Sequence, residues 1–179
     1  MNEKLPPVLD VCCGSKMFWF DTNDERAIFL DKRAETLIAD TRPGRNPCVI
    51  NPDFVGDFTD IKFPDCSFQL VVFDPPHLLD ISEKSWLAKK YGALCGNWKD
   101  ELRKGFSECF RVLKPGGILI FKWAESHVPL SEILALTEER PLFGNQTGKT
   151  GKTHWVVFMK HNNVLQRTPK GAAQNSLFN

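Results

Sequence analysis

Six short apolar runs, rich in β-branched and aromatic residues and separated by turn signals, constrain the fold of this chain more than any other feature. Nearly continuous apolar character of this kind is typical of strands in a sheet that is buried on both faces. The runs are PVLDVCC (7–13), AIFLD (27–31), DFVGDF (53–58), FQLVVFD (68–74), GILIFKW (117–123) and HWVVFMK (154–160). Helical patterns separate the later runs, so the sequence predicts an α/β fold with a mostly parallel sheet.

Two helices and one hairpin are predicted between these strands. The sequence WKDELRKGFSECFRVL over 98–113 places apolar residues at helical spacing and runs into KPGG, which ends a helix. A second helix is predicted over 129–140, with Ser131 as its N-cap. The segment 35–53 has two apolar pieces around a Pro-Gly turn, and it therefore predicts a β-hairpin.

The length and composition indicate one domain and argue against several classes of protein. A chain of 179 residues predicts a single domain over 1–161, followed by a polar, aperiodic and mobile tail over 162–179. The net charge of +1 argues against a strongly electrostatic, sequence-blind nucleic-acid binder. Neither a secretory signal nor a membrane-length apolar run is found, and cysteines and histidines lack metal-ligand spacing. A reduced cytoplasmic protein without a metal site or membrane contact is expected.

Polar residues follow the first three predicted strands where each ends. In an open parallel sheet, ligands bind at the carboxyl ends of the strands. Asp10 and Gly14 follow the first strand, and Asp31 ends the second. Asp31 lies 21 residues after Asp10, close to the spacing of about 20 at which an acidic residue binds a ribose hydroxyl. Asp57 and Phe58 follow the third strand, where a carboxylate and a ring suit an adenine amino group and its ring.

The fourth strand ends in an unusual way, with Asp74, Pro75, Pro76 and His77. A carboxylate at the end of a buried strand needs a partner or water, and the two prolines donate no backbone hydrogen bond. A single strand-end aspartate is often a helix cap, and a single glycine is often a turn. Four such strand ends in succession indicate a ligand site.

The succession VLDVCCG, FLD, GDF, FPDCSFQLVVFDPP and FRVLKPGGILIFK resembles the class I S-adenosylmethionine-dependent methyltransferases over roughly residues 7 to 160. The resemblance implies a Rossmann-like methyltransferase fold, with a mostly parallel seven-stranded sheet, helices on both faces and an antiparallel last strand. It also implies S-adenosylmethionine as the cofactor. On this resemblance, Asp10 and Gly14 lie at its methionine side, Asp31 at the ribose, and Asp57 with Phe58 at the adenine.

The loop after the first strand departs from the pattern of that family. The family usually has glycines two, four and six residues after its acidic residue, where this chain has Cys12, Gly14 and Lys16. Cys12 is therefore expected beside the cofactor together with Gly14. Phe18, in the KMFWFD that follows, is expected either to line the cofactor cleft or to pack in the core as part of a first helix.

The tetrapeptide DPPH resembles the [DNS]-P-P-[YFW] motif of enzymes that methylate planar amino nitrogens, such as adenine N6, cytosine N4 and protein glutamine. The resemblance implies that the Asp74 carboxylate and the Pro75 carbonyl accept the two N–H bonds of the amine, while Pro76 helps to fix the backbone. The resemblance also implies that Asp74 borders the cofactor. His77 replaces the usual aromatic residue, and stacking on the substrate ring, general-base catalysis and a structural hydrogen bond all remain open for it.

Basic and aromatic residues alternate after this motif, over 78–98. The segment is predicted to be a substrate lid, in which Trp86, Lys90, Tyr91 and Trp98 bind the substrate. The alternative is a loop or short helix whose aromatic residues pack on the domain. Trp123, near the end of the fifth strand, is a further candidate for the wall of the substrate pocket.

The order of the motifs along the chain is that of one group of DNA amino-methyltransferases, but a separate target-recognition domain is missing. The sequence therefore predicts a minimal, phage- or prophage-type enzyme that methylates adenine N6 in DNA, with loose specificity or with help from a partner or a second copy. The same chemistry on RNA, a protein glutamine or a small heteroaromatic amine is the first alternative. A catalytically silent partner subunit that binds S-adenosylmethionine is the second.

Overall fold

The structure is a computed structural model, and it describes residues 5–38, 47–79, 81–82, 84–148 and 151–161. The tail predicted over 162–179 lies outside the described residues. The strands are β1 (Val8–Asp10), β2 (Ala27–Asp31), β3 (Glu35–Leu37), β4 (Cys48–Ile50), β5 (Phe54–Val55), β6 (Phe68–Phe73), β7 (Leu113–Ala124), β8 (Phe143–Thr147) and β9 (Thr153–Met159). The helices are α1 (Trp86–Tyr91), α2 (Trp98–Val112) and α3 (Leu130–Leu134).

Seven of the strands form one sheet, in the order β5-β2-β1-β6-β7-β9-β8. The pairs β5–β2, β2–β1, β1–β6 and β6–β7 are parallel, and the last strand, β9, runs antiparallel to both of its neighbours. The predicted Rossmann-like sheet with an antiparallel last strand is confirmed. Each of the six apolar runs contributes a strand, whereas the seventh strand, β8, has the polar sequence FGNQT, whose pattern did not predict a strand.

The segment 35–53 forms its own small sheet. β3 and β4 pair antiparallel, with Glu35 opposite Ile50 and Leu37 opposite Cys48. This is the pairing that the predicted hairpin requires. The connection between the two strands, which contains the Pro-Gly turn, falls outside the described residues.

Helix α2 covers one face of the sheet and ends at Val112, one residue before the predicted end. Its buried residues, among them Leu102 and Phe106, pack in the main core. Gly105 lets the helix approach closely, because a Cβ at this position would lie 2.7 Å from the rings of both Phe58 and Phe73. The close packing of the helix against these rings therefore helps to position the carboxyl end of β6, and Asp74 is the residue that follows this strand.

The opposite face of the sheet is covered in a different way. Successive side chains of β2 point to opposite faces, so Ile28 and Leu30 join the α2 side while Ala27 and Phe29 form a separate cluster with Cys13. The segment 11–26, between β1 and β2, consists of turns and contains no helix. The expectation that Phe18 packs within a first helix is therefore wrong, since this segment covers the sheet as a folded loop.

Helix α3 is shorter than the predicted 129–140, and its N-cap position is Pro129. Ser131 lies inside the helix and does not cap it. The Glu125 carboxylate instead accepts the backbone N–H of Leu130 at 2.6 Å, which is the contact a capping side chain would make. In the part of the chain that is described, no helix is both long and apolar enough to cross a bilayer.

Candidate active site

An open cleft lies at the carboxyl ends of β1, β6 and β7. It is lined by residues 12–15, Met17, Phe18, Arg33, residues 74–77, Lys90, Tyr91 and Lys122. The structure thus brings together the loop after β1, the DPPH segment and the end of helix α1, all of which the sequence marked as functional. Ligands bind at this edge in open sheets of this type.

The loop after β1 keeps a left-handed backbone at two of the three positions where glycine is usual. Gly14 has φ +50° and Lys16 has φ +55°, and the latter is an uncommon conformation for a residue with a side chain. Lys16 is held there because its Nζ donates to the Thr22 carbonyl at 2.8 Å and lies 3.9 Å from the centre of the Phe29 ring. At Gly14 a Cβ would meet no atom within 4 Å, so this position opens onto the cleft.

Asp10 does not line the cleft. Its carboxylate is fully buried, where it accepts the indole N–H of Trp19 at 2.8 Å and the backbone N–H of Cys12 at 3.3 Å. Both oxygens of Asp10 bind the loop that follows β1. The structure therefore corrects the prediction that Asp10 contacts the methionine side of a cofactor. Burial raises the pKa of Asp10 from 3.8 to about 7, although the bond from Trp19 opposes this shift.

The free energy of unfolding of the wild type, measured relative to that of Asp10→Asn, should fall by about 3 kcal/mol between pH 5 and pH 8. The folded-state pKa of about 7 lies above the ordinary value of 3.8, so the folded protein binds the proton more tightly and loses stability as the pH rises between these values. The full cost is on the order of 4 kcal/mol. Asparagine keeps an oxygen for Trp19 and cannot ionise. Its amide NH2 group would face the backbone N–H of Cys12, which costs stability by an amount that does not depend on pH and cancels in the comparison of the two pH values.

Urea unfolding of the wild type and Asp10→Asn at both pH values measures this effect, with Asp60→Asn as an exposed control. An Asp10→Asn variant with the same stability difference from wild type at pH 5 and pH 8 would contradict the assignment of the shifted pKa.

Asp31, the expected ribose ligand, is also bound within the protein. Its Oδ2 accepts the Gly14 N–H at 2.8 Å, and its Oδ1 accepts the Arg33 N–H at 3.0 Å. The Arg33 guanidinium lies 3.5 Å from Asp31 and donates to the carbonyl of Lys89 in helix α1. Sequence reasoning did not identify Arg33, which links the end of β2 to the lid and lines the cleft.

Asp57 and Phe58, the expected adenine ligands, lie outside the lining of the cleft. Asp57 accepts both the N–H and the hydroxyl of Thr59, at 2.9 and 2.8 Å, and lies 3.2 Å from the ammonium of Lys32. The Phe58 ring centre lies 5.3 Å from that of Phe73. Phe58 thus faces the core, in the space that glycine leaves on helix α2, and this corrects its expected position on the adenine.

Asp74 forms an ion pair with Lys122, a residue that sequence reasoning missed. The parallel register places Phe73 of β6 beside Phe121 of β7, so the next residues are neighbours, and Lys122 Nζ lies 2.5 Å from Asp74 Oδ2. Burial raises the pKa of Asp74, and Lys122 opposes this shift. The sequence does show a lysine near the end of the otherwise apolar run GILIFKW. This lysine can be recognised as the partner of Asp74 only when the register of β6 and β7 is known.

His77 lies between two aromatic rings at the mouth of the cleft. Its ring centre is 6.3 Å from that of Tyr91 and 6.3 Å from that of Trp123. Burial lowers the pKa of His77, while Asp74 opposes this shift. Trp123 is fully buried and its indole N–H donates to the Val128 carbonyl at 2.9 Å. The prediction that Trp123 forms a wall of the pocket is therefore corrected, because it supports His77 from within the core.

The predicted lid contributes two of its four named residues to the cleft. Lys90 and Tyr91, at the end of helix α1, line the cleft, whereas Trp86 and Trp98 do not. Trp98 packs half-buried against the main core as the first residue of α2. For Trp98, the alternative of packing on the domain is the one that the structure supports.

No protein-family model and no curated protein matches this sequence. Among solved structures, the chain is similar to a SAM-dependent methyltransferase from Methanosarcina mazei, with 15% identity and a TM-score of 0.56 over 89% of this chain and 94% of that one. A Pyrococcus horikoshii protein gives 16% identity and a TM-score of 0.55 over 86% and 81%. The N-methyltransferase NodS from Bradyrhizobium japonicum gives 11% and 0.51 over 87% and 85%. The chain has the Rossmann-like fold of the SAM-dependent methyltransferases.

Proposed function

We propose that this protein transfers a methyl group from S-adenosylmethionine to a planar exocyclic amino nitrogen, with adenine N6 in DNA as the preferred acceptor. One observation carries the proposal. Asp74, Pro75, Pro76 and His77 form one wall of a cleft whose other wall is the loop 12–18, at the carboxyl ends of the strands of a methyltransferase-type sheet. This is the edge at which such sheets bind nucleoside ligands.

The residues of the cleft fit S-adenosylmethionine at its methionine end. A Cβ at Gly14 would meet no atom within 4 Å, and Cys12 and Phe18 line the same cleft. Asp31 would hold the ribose by exchanging a contact that it now makes with Gly14 or Arg33. Asp57, which lies outside the lining of the cleft, is proposed to accept the adenine amino group of a cofactor that extends beyond Asp31. When bound, the cofactor supplies an electrophilic methyl group.

The DPPH segment supplies what a planar amine needs in order to react. The lone pair of such an amine is delocalised into its ring, so the nitrogen is a poor nucleophile until it becomes tetrahedral. The Asp74 carboxylate and the Pro75 carbonyl would accept its two N–H bonds and hold it in that geometry. The two prolines donate no backbone hydrogen bond that would compete for these acceptors.

The entrance of the cleft suits a base with its phosphate. Lys90 lies 4.9 Å from the ring centre of Tyr91, and both line the cleft with Arg33. A cation beside an aromatic ring can contact phosphate and stack on a base that has left the duplex. We expect loose sequence specificity, or specificity supplied by a partner or a second copy, in a phage-type enzyme of the cytoplasm.

The variant His77→Phe should keep a rate of methyl transfer within about tenfold of the wild-type rate. The ring of His77 lies near Tyr91 and Trp123, a position that suits stacking on the substrate ring, and phenylalanine can stack in the same way. Burial lowers the pKa of His77, so the imidazole is neutral at physiological pH. Rates of methyl transfer from pH 5.5 to 8 test this expectation. A limb of the wild-type profile that disappears in His77→Phe, together with a large loss of rate, would identify His77 as a general base.

Incubation of the purified protein with labelled S-adenosylmethionine and several DNAs tests the proposal, alongside calorimetry of cofactor binding. We expect label in N6-methyladenine. Label confined to RNA, a glutamine peptide or a small heteroaromatic amine would keep the chemistry and change the acceptor, and a failure to bind S-adenosylmethionine would overturn the cofactor assignment.

A second candidate function is a silent cofactor-binding subunit. It is favoured by the departures from the family's patterns, since Cys12 and Lys16 replace usual glycines of the cofactor loop and His77 replaces the usual Tyr, Phe or Trp. Binding of S-adenosylmethionine without turnover on any of the acceptors would support this candidate over the enzyme.

A further inference from the structure

We propose that Lys122 is a positioning residue for methyl transfer, which holds the Asp74 carboxylate ionised and directs one of its oxygens to the substrate amine. The inference rests on the proposed function, in which Asp74 accepts an N–H bond of the amine. Lys122 would act through Asp74 and would not itself contact the reacting atoms.

The backbone fixes where this lysine stands. The register of β6 and β7 ends with Phe73 beside Phe121, and Asp74 and Lys122 are the residues that directly follow these two, so the strands place the pair close together. The Lys122 Nζ lies 5.7 Å from the ring centre of Phe18 and 5.8 Å from that of Trp155. These two rings meet edge to face at 5.5 Å. The ammonium is thus confined between an aromatic pair and the carboxylate.

The two oxygens of Asp74 are in different environments. Oδ2 accepts from Lys122, and among the described residues no hydrogen bond reaches Oδ1. Asp74 lines the cleft, so Oδ1 is the oxygen that remains for a substrate N–H. Because the lysine occupies only one oxygen, it can orient the carboxylate without removing its function as an acceptor.

The charges around Asp74 explain why a cation is needed. The titratable side chains that interact electrostatically with Asp74 are Asp10 of β1, Cys12 of the following loop, His77 of its own segment and Lys122 of β7, and Lys122 bonds to it directly. Burial disfavours the charged form of Asp74, and burial also lowers the pKa of His77, which leaves that ring neutral. A buried carboxylate without a partner tends to take up a proton. A protonated oxygen would carry an O–H donor and would be a much weaker acceptor for an amine N–H.

The test compares Lys122→Met, which keeps the apolar stem and removes the charge, with Lys122→Arg, which keeps the charge. An opposite charge at this distance lowers a carboxyl pKa by about 1 to 3 units, so we expect Lys122→Met to move the acid limb of the pH–rate profile upward by a similar amount. The rate below that limb should fall about tenfold for each unit of the shift. Lys122→Arg should restore most of the rate and the position of the limb.

Three controls separate positioning from a general structural effect. Lys152→Met removes an exposed lysine and should leave the profile unchanged. In an Asp74→Asn background, where no carboxylate can ionise, Lys122→Met should cause a much smaller further loss. Carbon-13 NMR titration of the Asp74 carboxyl should show a higher pKa in Lys122→Met than in the wild type, and it needs no turnover.

The outcomes are distinguishable. An active wild type whose acid limb and Asp74 titration are both unchanged in Lys122→Met would overturn the inference. A wild type that methylates no acceptor would overturn the proposed function, while the NMR titration would still decide whether Lys122 controls the charge of Asp74. If Lys122→Met does not fold, Lys122→Gln and Lys122→Arg give the same comparison, since only the arginine should keep the wild-type titration.

Discussion

Asp74→Ala should reduce methyl transfer by about 100- to 1000-fold, which is the usual cost of losing one well-placed polar group at a reaction centre. Alanine removes the acceptor that fixes one N–H of the amine and leaves the Pro75 carbonyl alone. The binding of S-adenosylmethionine should change far less, because the loop 12–18 on the other wall of the cleft is untouched. The expected pattern is a fall in kcat with a nearly constant dissociation constant of the cofactor.

Asp74→Asn is the matched variant, since it keeps one acceptor oxygen at the same position. It should retain more activity than Asp74→Ala, as expected from a motif in which asparagine also occurs. Asp60→Ala, at an exposed position, controls for the loss of a carboxylate elsewhere. If Asp74→Ala methylated DNA at the wild-type rate, the reaction centre would not lie at the end of β6.

Trp123→Ala should lower the free energy of unfolding by about 3 to 5 kcal/mol, the range observed for large-to-small changes at buried aromatic residues. Trp123 is fully buried, stacks with Phe121 at 6.2 Å and lies edge to face with His77. Alanine would leave a cavity beneath the DPPH segment. It would also leave the Val128 carbonyl without the indole N–H that it accepts.

Urea unfolding at pH 7 measures this effect. Trp123→Phe should cost less, because the ring still fills most of the site and only the hydrogen bond to Val128 is lost. Substrate affinity should fall in Trp123→Ala through the loss of support for His77. A destabilisation below about 1 kcal/mol would mean that the indole is not packed as the structure describes.

The strands were predictable because burial on both faces leaves a signal in the sequence itself. β2 matches its apolar run residue for residue, and the four strand ends were identified from the residues that follow them. β8 was not predictable, since an edge strand with the sequence FGNQT buries too little to show periodicity. Helix α3 was predicted, but its N-cap was predicted wrongly, because the N–H of Leu130 is bound by Glu125, which lies five residues earlier.

The residues that line the cleft were predictable where the order of motifs along the chain places them at strand ends. They were less predictable where their positions depend on tertiary packing. DPPH, Gly14, Lys90 and Tyr91 do line it. Phe58 was misplaced because nothing in its own segment shows the space that Gly105 leaves on a helix more than forty residues later.

Lys122 and Arg33 were missed for a related reason. The importance of Lys122 arises from a strand register, and that of Arg33 from a contact with the lid helix. Neither relation can be read from a local pattern, since each joins residues that lie far apart in the sequence.

The most direct test of the central claim is mass spectrometry of the nucleosides from cells that express either the wild type or Asp74→Ala. The proposed function predicts N6-methyladenine in the DNA of cells with the wild type, and its loss in cells with the variant at equal protein levels. Because the measurement identifies the base and the atom in DNA and RNA alike, it also separates the alternative acceptors within nucleic acid. DNA and RNA that show no Asp74-dependent methylation of any amino nitrogen would contradict the claim that this chain is a nucleic-acid amino-methyltransferase.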